Sequence, residues 1–148
     1  MRWKPNVTVA ALVEKDGRYL IVEEETNDGR RFNQPAGHLE KGESLLEAVR
    51  REVLEETGYE FEPHGLVGIY LADKADSNVT YLRFSFFGRV TQHHPELPLD
   101  KGIVAAHWRT AEEIEASAAR HRSPLVLRSL QDWQAGARFP LEMLHRVE

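Results

Sequence analysis

Residues 37–59 read GHLEKGESLLEAVRREVLEETGY. Ser44 followed three residues later by Glu47 forms a capping box, and Gly58 stands where a helix-ending glycine belongs. Residues 44–57 are therefore predicted to be helical. At about 100° per residue, Leu45, Leu46, Val49 and Val53 share one face. Glu52 and Glu56 fall within that same arc, and Glu55 borders it. The face begins apolar and ends acidic, whereas a solvated charged stripe lies opposite the apolar one. Glu52 and Glu56, four residues apart, repel by roughly 0.2–0.5 kcal/mol even in water. Against an apolar surface the cost rises, so these carboxylates need a counter-charge or a cation. Arg50 points away, and Arg51 is better placed for Glu47 and Glu55. Several convergent carboxylates, with no His or Cys at ligand spacing, suit a hard cation, Mg²⁺ or Mn²⁺. Such ions bridge phosphate oxygens and activate water. A Glu-rich helix merely laced by Arg51 is the plain alternative.

Outward from this helix, the chain alternates strands and helices. Residues 7–13 alternate, with Val7, Val9, Ala11 and Val13 on one side, and residues 19–22 form a second apolar run. Asp16-Gly17 between them signals a tight hairpin. Residues 23–32 are polar and contain Asn27-Asp28-Gly29, which reads as a loop. Residues 33–37 hold Pro35 and Gly37 and form a short strand or turn. Residues 61–72 read as a strand broken by glycines. Residues 79–90 are the strongest strand, with Thr80, Leu82, Phe84 and Phe86 on one face and Tyr81, Arg83, Ser85 and Phe87 on the other. Pro95 and Pro98 mark residues 91–102 as a loop, and 103–108 form another strand. Thr110 with Glu113 opens a helix to about Ala119, and Ser123-Pro124 opens one that stops at Gly136. Residues 139–147 are expected to pack back on the domain. This order implies one mixed α/β (α+β) domain over residues 1–148, with no repeat and no linker.

Composition narrows the classes. The chain has 148 residues, 41% hydrophobic and 29% charged, enough apolar material for a core. Absence of cysteine excludes a disulfide scaffold, thiolate zinc sites, iron–sulfur clusters and a cysteine nucleophile. The net charge is −5, and no Lys/Arg cluster resembles a nucleic-acid footprint, so no duplex nucleic-acid partner is expected. No run approaches the roughly 20 apolar residues that span a bilayer, and the N-terminus lacks a signal-peptide core. The expectation is a soluble cytoplasmic protein without a membrane partner. Nothing in the sequence points to a protein partner or an oligomeric state.

The spacing Gly37, five residues, Glu43, seven residues, Arg51-Glu52-Val53-Leu54-Glu55-Glu56-Thr57-Gly58-Tyr59 resembles the complete Nudix box. Its seven fixed positions would all be filled by chance with a probability on the order of 10⁻⁸ per starting residue. The resemblance implies the Nudix fold, a mixed β-sheet sandwiched between helices with the box as loop–helix–loop. It implies divalent-metal-dependent hydrolysis of a phosphoanhydride. It also implies Glu52, Glu55 and Glu56 as metal ligands, joined by the carbonyl of Ala36. Glu43 and Arg51 would be a structural pair, and Gly37 and Gly58 would serve the backbone turns. Residues 4–10, 22–26, 33–40, 82–84, 122–126 and 140–143 are similar to the NudJ group of small bacterial Nudix phosphatases. That group is unselective, releasing orthophosphate from nucleoside tri- and diphosphates and from thiamine pyrophosphate.

The expected chemistry is in-line attack of an activated water on phosphorus. Glu52 and Glu56 are the candidate catalytic residues, each a possible base. Asp100 and Glu96, in the loop before residue 103, are the alternatives. Arg83 is a candidate phosphate contact because a guanidinium fork suits phosphate oxygens; otherwise it is a surface arginine. Phe32, Asn33 and Gln34 are candidate pocket residues, with Phe32 able to stack on a base or to pack in the core. Trp3 has the same two readings. Arg30 and Arg31 either steer anions or lie solvated. His38 is at a variable box position. His93-His94 lacks a third ligand at suitable spacing for zinc. Two other functions stay open. One is a more selective Nudix pyrophosphohydrolase acting on ADP-ribose, dinucleoside polyphosphates or damaged nucleoside triphosphates. The other is a catalytically silent nucleotide-binding module.

Overall fold

Asp16 and Gly17 both adopt positive φ, 52° and 76°, and so close the predicted hairpin between β1 (Asn6–Lys15) and β2 (Arg18–Thr26). The computed structural model describes residues 1–148. β3 (Gly29–Asn33) and β4 (Ala36–His38) follow, then α1 (Leu45–Thr57). The long strands β5 (Tyr59–Asp73) and β6 (Thr80–His93) pair with each other, and β7 (Ile103–Arg109) closes the strand-rich part. α2 (Ala111–Ala116), a 3-10 turn over Ala118–Arg120, α3 (Leu125–Gln134) and the short β8 (Phe139–Pro140) complete the chain. No helix is long and apolar enough to cross a membrane.

The sheet runs β3-β2-β1-β6-β5-β8, with β4 added to β1 and β7 to β2. Only β1 and β6 are parallel. One edge of β1 is shared: Thr8, Val9 and Ala10 pair with β4, whereas Glu14 and Lys15 pair with β2. The sheet forks there, and residues 33–36 cross the fork, with Ala11 N–H donating to the Pro35 carbonyl at 2.9 Å.

Alternation along β1 feeds a core on each side. Val9, Ala11 and Val13 join Leu20, Phe61, Leu66 and Phe86 beneath Ala48, Val49 and Val53 of α1. Leu12 joins Tyr19, Ile21, Phe32 and Val67 beneath Ile114 of α2 and Val126 and Leu130 of α3. The result is a mixed α+β fold, a mixed sheet between helices.

Several local expectations change. Residues 23–32 are a hairpin rather than a loop. Glu25 pairs across it with Arg30 at 2.8 Å, and the polar side chains hide the strand because neither face is wholly apolar there. β5 is one strand; its glycines sit at register shifts after Pro63 and Leu66 instead of ending it. β6 continues to His93, and α2 ends at Ala116 before tightening into the 3-10 turn. Pro124 is already helical in backbone, and Ser123 Oγ accepts from Leu125 N–H at 3.2 Å. The tail packs back as expected: β8 pairs with β5, and Leu141 and Leu144 lie against the α1-side core.

Candidate active site

α1 is built as its sequence requires. Ser44 Oγ accepts from Glu47 N–H, Glu47 accepts from Ser44 N–H, and Gly58 ends the helix at φ 76°. The buried residues of α1 are Ala48, Val49, Glu52, Val53, Glu56 and Thr57. The apolar face thus turns acidic toward its C-terminal end. Glu55, half-exposed, borders it.

The box loop is clamped onto this helix. Arg51 Nε donates to Glu43 Oε2 at 2.6 Å, and Arg51 Nη2 donates to Glu43 Oε1 at 3.0 Å and to the His38 carbonyl at 2.9 Å. Arg51 Nη1 reaches Glu52 Oε1 at 2.7 Å and Glu55 Oε2 at 3.4 Å. Arg51 therefore serves Glu52 as well as Glu55. Glu47 is taken up by the helix cap instead, contrary to the pairing expected from spacing alone. A Cβ on Gly37 would lie 2.1 Å from Glu52 Cδ, so the glycine makes room for that carboxylate.

Glu56 is 7% exposed and accepts one hydrogen bond, from Ala36 N–H to Oε1 at 2.9 Å. Burial pushes its carboxyl up to about 9, reinforced by the charges of Glu24, Glu52 and Asp100. Burial also raises Glu52, against the opposing pull of Arg51. No three acidic or histidine side chains converge on a single point anywhere in the molecule. The donor chemistry nevertheless fits a hard divalent cation. Three carboxylates and the neighbouring Ala36 backbone are all oxygen donors, and Glu56 lacks any basic partner among its hydrogen bonds.

Arg83 corrects the expected surface position. It is 5% exposed, because the sheet carries a core on both faces. Its Nη2 donates to Gln34 Oε1 at 2.8 Å, Nη1 to Asn33 Oδ1 at 3.5 Å, and Nε to Ser85 Oγ at 3.3 Å. All three partners are neutral, and burial lowers its pKa to about 10, which still leaves it charged at neutral pH. Gln34 Nε2 in turn donates to the Val126 carbonyl of α3 at 2.9 Å. Asn33, Gln34 and Arg83 are thus one unit. Phe32 lies on the other face of β3, in the second core, with Arg120 over its ring at 4.7 Å.

The remaining candidates separate. Asp100 lies near enough to burden Glu52 and Glu56, and its N–H donates to the Glu55 carbonyl at 2.8 Å. Glu96 pairs instead with His94, which also meets Glu60 at 2.6 Å. His93 stacks on Tyr59 with ring centroids 4.2 Å apart. His38 is exposed, edge-on to Tyr81, and Trp3 is exposed. Arg30 is engaged by Glu25 and Glu23. Sequence reasoning missed Glu24, whose side chain is only 12% exposed and is paired with Arg122. Its one signal was position: it shares a strand face with Val22.

Comparison with known proteins places the chain in a family. The NUDIX domain model matches residues 2–130. The chain is 43% identical over 142 residues to Phosphatase NudJ of Escherichia coli, covering 96% of this chain and 92% of that one. It is 51% identical to a solved NUDIX hydrolase from Nitrosomonas europaea, with TM-score 0.95, covering 97% of this chain and 98% of the other. A MutT NUDIX hydrolase from Burkholderia pseudomallei, 18% identical with TM-score 0.75 over 88% of this chain and 98% of its own, shares the fold. The chain belongs to the Nudix family and is a hydrolase of phosphoric anhydrides.

Proposed function

We propose that this enzyme, with Mg²⁺ or Mn²⁺, cleaves the phosphoanhydride bonds of nucleoside tri- and diphosphates and of thiamine pyrophosphate, releasing orthophosphate. The observation that carries this reading is Glu56, a buried carboxyl held by one backbone N–H and burdened by the charges of Glu24, Glu52 and Asp100. Such a group has use for a divalent cation, and no basic side chain is hydrogen-bonded to it. Glu52, Glu55 and Glu56, with the Ala36 carbonyl, would hold the cation. When bound, it supplies neutralisation of phosphate charge and acidification of the attacking water. Identity to a protein named a phosphatase supports orthophosphate as product.

The chain's own residues do the rest. Arg51 and Glu43 hold the box loop and keep Glu52 aimed over Gly37. Arg83 presents a fixed positive charge behind the acids, and Asn33 and Gln34 orient its fork. The proton of the attacking water goes to a carboxylate beside the site, Glu52, Glu56 or Asp100. Glu96, turned to His94, is left out of that role.

The test is product analysis on the purified protein with Mg²⁺. The panel is thiamine pyrophosphate, nucleoside di- and triphosphates, ADP-ribose and a dinucleoside polyphosphate, with Glu56→Gln as control. Orthophosphate from both thiamine pyrophosphate and nucleotides, lost in the variant, is the expected result. Cleavage of ADP-ribose or the dinucleotide alone would replace this reading with a more selective Nudix pyrophosphohydrolase.

A further inference from the structure

We infer that Arg122, held against Glu24 at the edge of the acid set, is a docking arm for the terminal phosphate of the substrate. This rests on the proposed function and adds a specificity determinant to it. Arg122 is fixed through its backbone: its N–H donates to the Phe32 carbonyl at 2.8 Å, beside the Phe32–His121 bridge. The segment that carries it runs along the free edge of β3. Its side chain crosses to β2, where Nη1 donates to Glu24 Oε2 at 2.5 Å. Glu24 follows Val22 by two residues on one strand face, and the partner of Val22 across the hairpin is Asn33, which accepts from Arg83. The arm therefore ends beside the Asn33–Arg83 unit.

The site's other arginines are committed. Arg51 is divided among Glu43, Glu52 and Glu55, and Arg83 is buried with three side-chain acceptors. Arg122 is half-exposed, and its Nε and Nη2 have no protein partner. A polyphosphate approaching Glu24, Glu52, Glu55, Glu56 and Asp100 needs a cationic surface. The free side of the Arg122 fork offers N–H groups in the geometry that binds two phosphate oxygens. A terminal phosphate has three unesterified oxygens, so two can meet the arm while one remains for the acid side. A phosphate esterified on both sides has only two. Arg122 thus favours substrates that end in a phosphate.

The test uses Arg122→Ala, Arg122→Lys and Glu24→Gln in the full chain with Mg²⁺. Inorganic phosphate is titrated by calorimetry, and KM and kcat are measured for thiamine pyrophosphate, a nucleoside diphosphate and ADP-ribose. Arg122→Ala is expected to weaken phosphate binding and raise KM for the first two substrates by at least about tenfold. Its kcat and its KM for any residual ADP-ribose cleavage should change little. Arg122→Lys should fall between, since it keeps the charge and loses the fork. Glu24→Gln should tighten phosphate binding, and that gain should disappear in the Arg122→Ala background. Unchanged phosphate affinity in Arg122→Ala, or an equal KM rise for ADP-ribose, would overturn the assignment. If the wild-type protein releases no orthophosphate from these substrates, the proposed function fails, while the phosphate titration still decides the role of Arg122.

Discussion

Gly37 has no side chain because the Glu52 carboxylate lies where one would be, 2.1 Å from an added Cβ. Gly37→Ala should push Glu52 off its hydrogen bond with Arg51 while leaving the fold intact. The expected outcome is a 10- to 100-fold fall in activity with little change in melting temperature, checked by paired kinetics and thermal denaturation. Glu56 makes a second prediction, about pH. Its folded carboxyl is raised from the ordinary 4.5 to about 9, chiefly by burial. Its contribution to stability is then complete below the ordinary value and is lost as pH rises toward about 9. Glu52 shifts in the same direction, whereas Glu43, held low by Arg51, works oppositely and loses its contribution on acidification. With a chelator present, melting temperature should fall as pH is raised from mildly acid to about 9, and Glu56→Gln should flatten that slope. An identical slope in the variant would contradict the burial of an ionisable Glu56.

At the scale of the element, α1 carries both packing and chemistry, and its ends hold it in register. Ser44→Ala removes the side-chain half of the capping box and should cost about 1 kcal/mol, measured by urea denaturation. This helix was readable from residues 44–58 alone, because capping, apolar periodicity and the misplaced acids are all local features. Its clamp is less so: spacing offers Glu47 and Glu55 to Arg51 and only the resemblance pairs it with Glu43, whereas in the structure the cap claims Glu47 and Arg51 holds both Glu43 and Glu55. Residues 23–32 form a hairpin but read as a loop because their strands are charged, and strand periodicity needs an apolar face to be visible. Alternation over residues 79–90 places Arg83 on the correct strand but at the surface, whereas it is buried. A single alternating strand cannot reveal that both faces of the sheet are covered, or that Asn33 and Gln34, about fifty residues earlier, supply the acceptors.

For the whole molecule, the fork in β1 brings the pieces together. β4 and β2 leave the same strand edge, so residues 33–36 cross between them and meet α1 on one side and Arg83 on the other. Gln34 also bonds the α3 carbonyl of Val126, tying the second core to the site. Glu24 and Arg122 join only through this topology, 98 residues apart in sequence, which is why no local pattern announced them. As proposed, this assembly holds a divalent cation on the acidic end of α1. Calorimetric titration of Mg²⁺ into the wild-type protein and Glu56→Gln, at neutral pH in buffers of different ionisation heat, tests it most directly. Binding that releases a proton, and that is weakened along with that release in Glu56→Gln, is the predicted result. Absence of binding, or binding of equal strength and equal proton release in the variant, would contradict it.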